Sequence, residues 1–294
     1  MDIFQSIILG IIEGLTEFLP ISSTAHMKFA NPLLGVQPTP FNDMFEVVIQ
    51  LAAILAVVIL YYKKFFDFKR IKFYFKLIIA VIPALVVGFL LKKHIEGALG
   101  NLTFIACVMI GGGIVLLFID KLFKNPTVET EDKIDNKKAF VIGCFQVLSI
   151  IFPGLSRSAA TIIGGMTQKL TRSLAAEFSF FLAVPTMMAA SIKSFYDACK
   201  DNYLLANNLT EAQAKGMDIH TKDILSGQNL GSLFTHDNTI SFITGCVISF
   251  IVALLAIKFF IGFVKKYGFR FWGFYRIVVG AIMLALIFSG KMNQ

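Results

Sequence analysis

This sequence is short of charge. Only 16% of its 294 residues are Asp, Glu, Lys or Arg, whereas 56% are hydrophobic and the mean hydropathy is +0.73. A soluble domain carries about 25% charged residues, so this composition excludes an ordinary water-soluble protein. Cysteine is scarce too. Cys107, Cys144, Cys199 and Cys246 share no CxxC or Cys/His ligand spacing, which excludes a disulfide framework and a zinc site. No GxxxxGK(S/T) loop occurs, so nothing points to a kinase of that type. The N-terminus lacks the basic start and small-residue cleavage site of a removable signal peptide. The net charge of +8 sits in short Lys/Arg clusters beside apolar runs. That is the pattern of cytoplasmic loops, and no nucleic-acid partner is expected.

What the chain has instead is long apolar runs. A membrane-crossing helix needs about 20 mostly apolar residues, and six segments qualify: roughly 45–62, 73–91, 102–119, 174–195, 240–264 and 271–288. Two further stretches, 3–19 and 139–152, each run into a proline, Pro20 or Pro153, and then into Ser/Thr-rich sequence. Proline stops a helix, and the polar run cannot face lipid. Both are read as re-entrant hairpins. The expected fold is an all-α polytopic membrane protein: six transmembrane helices plus two re-entrant helix hairpins in one integral membrane domain, residues 1–294. The excess of Lys and Arg in 63–72, 121–138 and 265–270 places those loops in the cytoplasm. Residues 197–239, with Lys200, Lys215 and Lys222 against six acids, fall outside together with both termini. Lys92 and Lys93 also fall outside, against the trend.

The halves, about 1–120 and 137–290, can be superposed. With Pro20 on Pro153, Gly10 meets Gly143, Glu13 meets Gln146, Thr16 meets Ser149 and Ser23 meets Ser156; after a gap, Glu46 meets Glu177. Each half has an odd number of crossings, so the second is inverted. Inverted repeats with broken helices place their site at the repeat interface, near mid-membrane.

The first hairpin reads EGLTEFLPISSTAH, residues 13–26. Glu13 and Glu17, spaced i, i+4, share a helix face. Two carboxylates at membrane depth are costly, so one carries a proton, or a hard divalent cation, Mg²⁺ or Ca²⁺, lies between them. Ser22, Ser23 and Thr24 open the returning helix, whose N-terminus suits an anion. His26 lies within reach of the same end. The second hairpin reads PGLSRSAAT, residues 153–161. Arg157 at its break either pairs with a glutamate or clamps phosphate oxygens with its planar fork, and Ser156, Ser158 and Thr161 add hydroxyls. Together these groups form a phosphate site with a candidate metal. Ser23 is the preferred nucleophile, with Glu17 and His26 as base and acid; the rival scheme forms a phosphohistidine on His26.

These motifs, with FEVVIQLAAILAVV, IGCFQ, EFSFFLAVP and YRIVVGA, resemble the bacterial undecaprenyl-diphosphate phosphatases, the family linked to bacitracin resistance. The resemblance spans nearly the whole chain. It implies a multi-pass enzyme of the bacterial inner membrane, its site facing outward. Its substrate is a polyprenyl diphosphate lipid, from which the terminal phosphate is removed to regenerate the carrier for peptidoglycan. The active site would comprise Glu13, Glu17, Ser23, His26, Ser156, Arg157 and Thr161, with Arg276 of YRIVVG also on the substrate phosphate. The alternative is a flippase for the monophosphate. A homodimer is one assembly compatible with either reading. The segment 197–239 is longer than the resemblance leads one to expect.

Overall fold

The apolar runs become helices where their lengths predict them. The computed structural model describes residues 1–214 and 219–292. Lys215 and Asp218, and the side chains of Lys92, Lys93 and Glu211, lie outside the described residues. The principal helices are α1 (Ile3–Thr16), α2 (Ser23–Leu34), α3 (Pro40–Leu60), α4 (Ile71–Leu90), α5 (Leu102–Leu122), α6 (Asn136–Ile151), α7 (Arg157–Thr167), α8 (Arg172–Ala206), α9 (His236–Tyr267) and α10 (Arg270–Phe288). No β-strand forms among the described residues; one isolated bridge joins Val128 and Leu170. Six helices, α3, α4, α5, α8, α9 and α10, are long and apolar enough to cross a bilayer. Their outward faces expose side chains such as Phe89, Leu255 and Phe288. This is a multi-pass membrane protein.

Local chemistry sets the helix starts. Asp2 and Gln5 form a capping box on α1, Thr39 caps α3 ahead of Pro40, and Asp135, Thr171 and Thr235 cap α6, α8 and α9. Each side-chain oxygen satisfies an N–H that the first turn leaves free. The remaining short helices, α1, α2, α6 and α7, have 14, 12, 16 and 11 residues. At 1.5 Å per residue, none reaches the roughly 30 Å of a hydrocarbon core.

The helices pair α1 with α9, α4 with α6, α3 with α8, and α5 with α10. Small residues let backbones meet, as is usual where both partners face lipid-like surroundings. A Cβ on Gly14 would stand 2.6 Å from the Ser249 carbonyl oxygen, and one on Gly143 would collide with that of Ala80.

Two ends of the molecule differ. At one end Asp120 accepts from the Phe269 N–H at 2.7 Å and pairs with Arg172 at 2.7 Å. Lys64 pairs with Glu131 at 3.2 Å and with Glu177, and Arg70 also contacts Glu131. These contacts gather the basic segments 63–72, 121–138 and 265–270 at one end. The other end holds the long polar segment, and here the expected loop 197–239 needs correction. Residues 197–206 continue α8 and 236–239 open α9. With 35 and 32 residues, these helices run about 50 Å, well beyond the hydrocarbon. Buried Asn229 donates to the carbonyls of Cys199 and Ile224 at 2.8 and 2.6 Å, tying residues 224–229 to α8.

Candidate functional site

Two chain breaks meet in the interior. In the first, α1 ends at Thr16, the Glu17 N–H still bonds to the Glu13 carbonyl at 3.0 Å, and the chain turns through Pro20 to Ser22. In the second, α6 ends at Ile151 and the chain turns through Pro153 and Gly154 to Ser156. Ser22 and Ser156 both lie in the left-handed region, at φ 71° and 77°. A non-glycine residue held there costs about 1–3 kcal/mol, and such strain gathers at functional sites. Each serine Oγ accepts the N–H three residues on, from Ala25 and Ala159, at 3.3 Å. Ser22, not Ser23, therefore plays the part of Ser156. The first break is one residue shorter between proline and cap, which corrects the pairing made on the prolines alone.

With that register, Ser23 and Arg157 are each the first residue of a helix, and both grip Glu17. Ser23 Oγ donates to Glu17 Oε2 at 2.5 Å, and Arg157 Nη2 donates to Oε1 at 2.7 Å. Arg157 Nη1 donates to the Ser179 carbonyl at 3.2 Å, and its Nε is buried without an acceptor. Thr24 is half-buried beside Ser23. Of the first-turn N–H groups of α2 and α7, those of Ala25 and Ala159 are taken by the cap serines, which leaves those of Ser23, Thr24, Arg157 and Ser158 without intrahelical partners. Glu13 is fully buried against Glu17; with both carboxyls ionised neither of its oxygens has a donor, and a proton shared between the two glutamates would supply one.

His26 is fixed on both nitrogens. Nδ1 lies 2.7 Å from the Ser22 carbonyl oxygen and Nε2 lies 2.9 Å from the Tyr275 hydroxyl. The Tyr275 ring stacks on the imidazole with centroids 5.7 Å apart. No hydrogen bond joins His26 to Ser23, so the group that receives the Ser23 hydroxyl is Glu17.

The remaining hydroxyls and the second arginine are hydrogen-bonded within the protein. Ser158 Oγ donates to the Leu19 carbonyl at 2.8 Å, stapling one break to the other, and lies 3.0 Å from Ser156 Oγ. Thr161 is buried against Ser179, oxygen to oxygen 2.6 Å, and returns a bond to the Arg157 carbonyl at 2.9 Å. Arg276 is fully buried. Its Nε donates to Met109 O at 3.0 Å, Nη1 to Pro20 O at 3.0 Å and Leu155 O at 2.8 Å, and Nη2 to Gly154 O at 2.8 Å. Its guanidinium is thus spent on backbone carbonyls of both breaks and does not lie open to a phosphate. Gly112 makes this possible, since a Cβ there would stand 2.5 Å from Nη2.

Three residues at the site escaped the sequence reading. Tyr275 and Ser179 lie far along the chain, inside the quoted segments YRIVVGA and EFSFFLAVP but not singled out there. The third, Lys28, pairs at 3.0 Å with Glu46, which also takes a bond from Asn31. Among the described residues no group of three or more His, Cys, Asp or Glu could hold a metal ion. Glu13 and Glu17 alone fit a hard cation: the orphaned Glu13 oxygens need either a proton or a cation, and an all-oxygen donor set suits Mg²⁺ or Ca²⁺.

Comparison with known proteins adds the following. The sequence model of one family, described as bacitracin resistance protein BacA, matches residues 6–282. The chain is 46% identical to an undecaprenyl-diphosphatase of Flavobacterium psychrophilum over 98% of this chain and 97% of that relative. It is 44% identical to one of Porphyromonas gingivalis, covering 99% and 98%. It is 40% identical to one of Bdellovibrio bacteriovorus, covering 100% and 99%.

Proposed function

Because this chain belongs to the bacitracin resistance protein BacA family, we propose that it is a membrane phosphatase. Its reaction converts undecaprenyl diphosphate to undecaprenyl phosphate and inorganic phosphate, returning the lipid carrier to peptidoglycan synthesis. The observation that carries the mechanism is the Glu17 carboxylate, gripped by Ser23 on one oxygen and Arg157 on the other.

Ser23 Oγ attacks the terminal phosphorus while its proton passes to Glu17 Oε2. The phosphoanhydride bond breaks and undecaprenyl phosphate leaves. Water then attacks the phosphoserine, and Ser23 regains its proton as phosphate departs. A serine hydroxyl needs such a base to act. Arg157 turns its unpaired Nε to the transferred oxygens, and the first-turn amides of α2 and α7 meet the developing charge. A cation held by Glu13 and Glu17 would neutralise charge on the diphosphate. Ser22 and Ser156 hold the strained turns that aim these amides. Ser158, Thr161 and Arg276 keep the two breaks together.

In this reading the two short-helix pairs are re-entrant hairpins and the halves, 1–120 and 137–290, form an inverted repeat within one domain. The matching cap serines support it. So do Gly10 and Gly143, aligned positions that press on the carbonyls of Gly245 and Ala80. The gathered basic segments face the cytoplasm, and 197–239 and the site face outward. The site is complete within one chain, so a homodimer is compatible with the reading and not required by it. The deciding experiment compares Ser23→Ala with His26→Ala for phosphate release. Inactive Ser23→Ala and phosphate trapped on serine are expected; an active Ser23→Ala with phosphate trapped on histidine would overturn the scheme.

A further inference from the structure

The imidazole of His26 has a partner on each nitrogen, and the two partners differ in kind. A backbone carbonyl only accepts, so the Ser22 oxygen at 2.7 Å requires a hydrogen on Nδ1. In the neutral ring, Nε2 is then a bare acceptor. The Tyr275 hydroxyl at 2.9 Å can donate to that lone pair. It can equally accept from Nε2–H once the ring is protonated. The two rings lie nearly parallel, 14° between planes, and a hydrogen bond on each nitrogen holds the imidazole from both sides. Tyr275 comes from α10, immediately before the arginine that ties both breaks, so its placement is locked to theirs.

We propose that Tyr275 is a positioning residue for the hydrolysis: the Ser22 carbonyl sets the Nδ1–H tautomer, and the Tyr275 hydroxyl holds Nε2 of His26 in one place, whether that nitrogen is bare or protonated. As the acid beside Glu17, His26 can then give the Nε2 proton to the leaving phosphate oxygen and regain one from the water that attacks the phosphoserine, without rotating. The arrangement also leaves Nε2 engaged and Nδ1 spent, which disfavours His26 as nucleophile. This rests on the hydrolase reading above.

The test pairs kinetics with ¹⁵N-histidine spectra in detergent, the His26 signal being the one missing from His26→Ala. Tyr275→Phe keeps the stack and loses only the hydroxyl; Tyr275→Leu loses both. In the native protein His26 should show a single Nδ1–H tautomer. In Tyr275→Phe the Nδ1–H tautomer should persist while the Nε2 resonance shifts with the loss of its hydrogen bond, with kcat for phosphate release down about 10-fold, as for a misplaced acid–base group, and KM within about twofold. An unchanged Nε2 resonance and unchanged kcat in Tyr275→Phe would overturn the proposal. So would equal losses of kcat and thermal stability in the Phe and Leu variants, which would make Tyr275 a packing residue. Native protein that releases no phosphate would defeat the hydrolase reading instead, and the spectra would still decide the role of Tyr275.

Discussion

Replacing Arg276 separates a scaffold role from a phosphate-binding role. Arg276→Met fills much of the same volume but removes every donor. The carbonyls of Met109, Pro20, Leu155 and Gly154 then lose their partners in a buried setting. Each unpaired carbonyl costs about 1–3 kcal/mol. Removing the buried guanidinium also lifts a desolvation penalty of several kcal/mol, so the net loss expected is about 3–5 kcal/mol. For a chain of this size that lowers Tm on the order of 10 °C. Arg276→Lys keeps a charge but has one nitrogen, which cannot span four carbonyls, and should lie between. The assay is thermal unfolding in detergent beside phosphate release. A phosphate clamp would behave differently: KM would rise and Tm would hold. An Arg276→Met variant with native Tm and raised KM would refute the scaffold account.

Other substitutions and conditions test other parts. At Ser22, Gly should be tolerated better than Ala: glycine accepts φ 71° without strain, and Ala loses the cap while keeping the strain, a stability difference of about 1 kcal/mol readable in Tm. Chelation should abolish phosphate release if a cation bridges the glutamates, and Glu13→Gln should remove the dependence on added Mg²⁺ or Ca²⁺; full activity after exhaustive chelation would leave Glu13 protonated instead. An impermeant thiol reagent applied outside cells should label single cysteines placed at 197–239 and spare those at 63–72; the reverse pattern would place the site on the cytoplasmic side.

The six spanning helices were legible because lipid demands about 20 apolar residues in a row, and little else in this chain satisfies that demand. The two breaks were legible from Pro20 and Pro153 with the serines after them. The extensions of α8 and α9 were not: 197–206 is polar, and hydropathy registers where a helix leaves the apolar layer, not where it ends. Ser23 and Arg157 were foreseen at the site, but their shared hold on Glu17 depends on a one-residue difference between the turns, which alignment on proline hides. Arg276 was placed on the substrate phosphate by the resemblance alone; an intramembrane arginine needs an anion or its equivalent. Here four carbonyl dipoles supply the equivalent, and only three-dimensional structure brings them together. Tyr275 stood in the quoted segment YRIVVGA, but its contact with a histidine 249 positions away was not legible for the same reason.

The most direct measurement is inorganic phosphate released from undecaprenyl diphosphate by the purified protein in detergent, where transport across a membrane cannot occur. The account predicts one phosphate and one undecaprenyl phosphate per substrate consumed, lost by at least about 100-fold in Glu17→Gln, as expected for removal of a catalytic base. A folded native protein that binds the lipid and releases no phosphate, or a Glu17→Gln variant that turns over at the native rate, would contradict it.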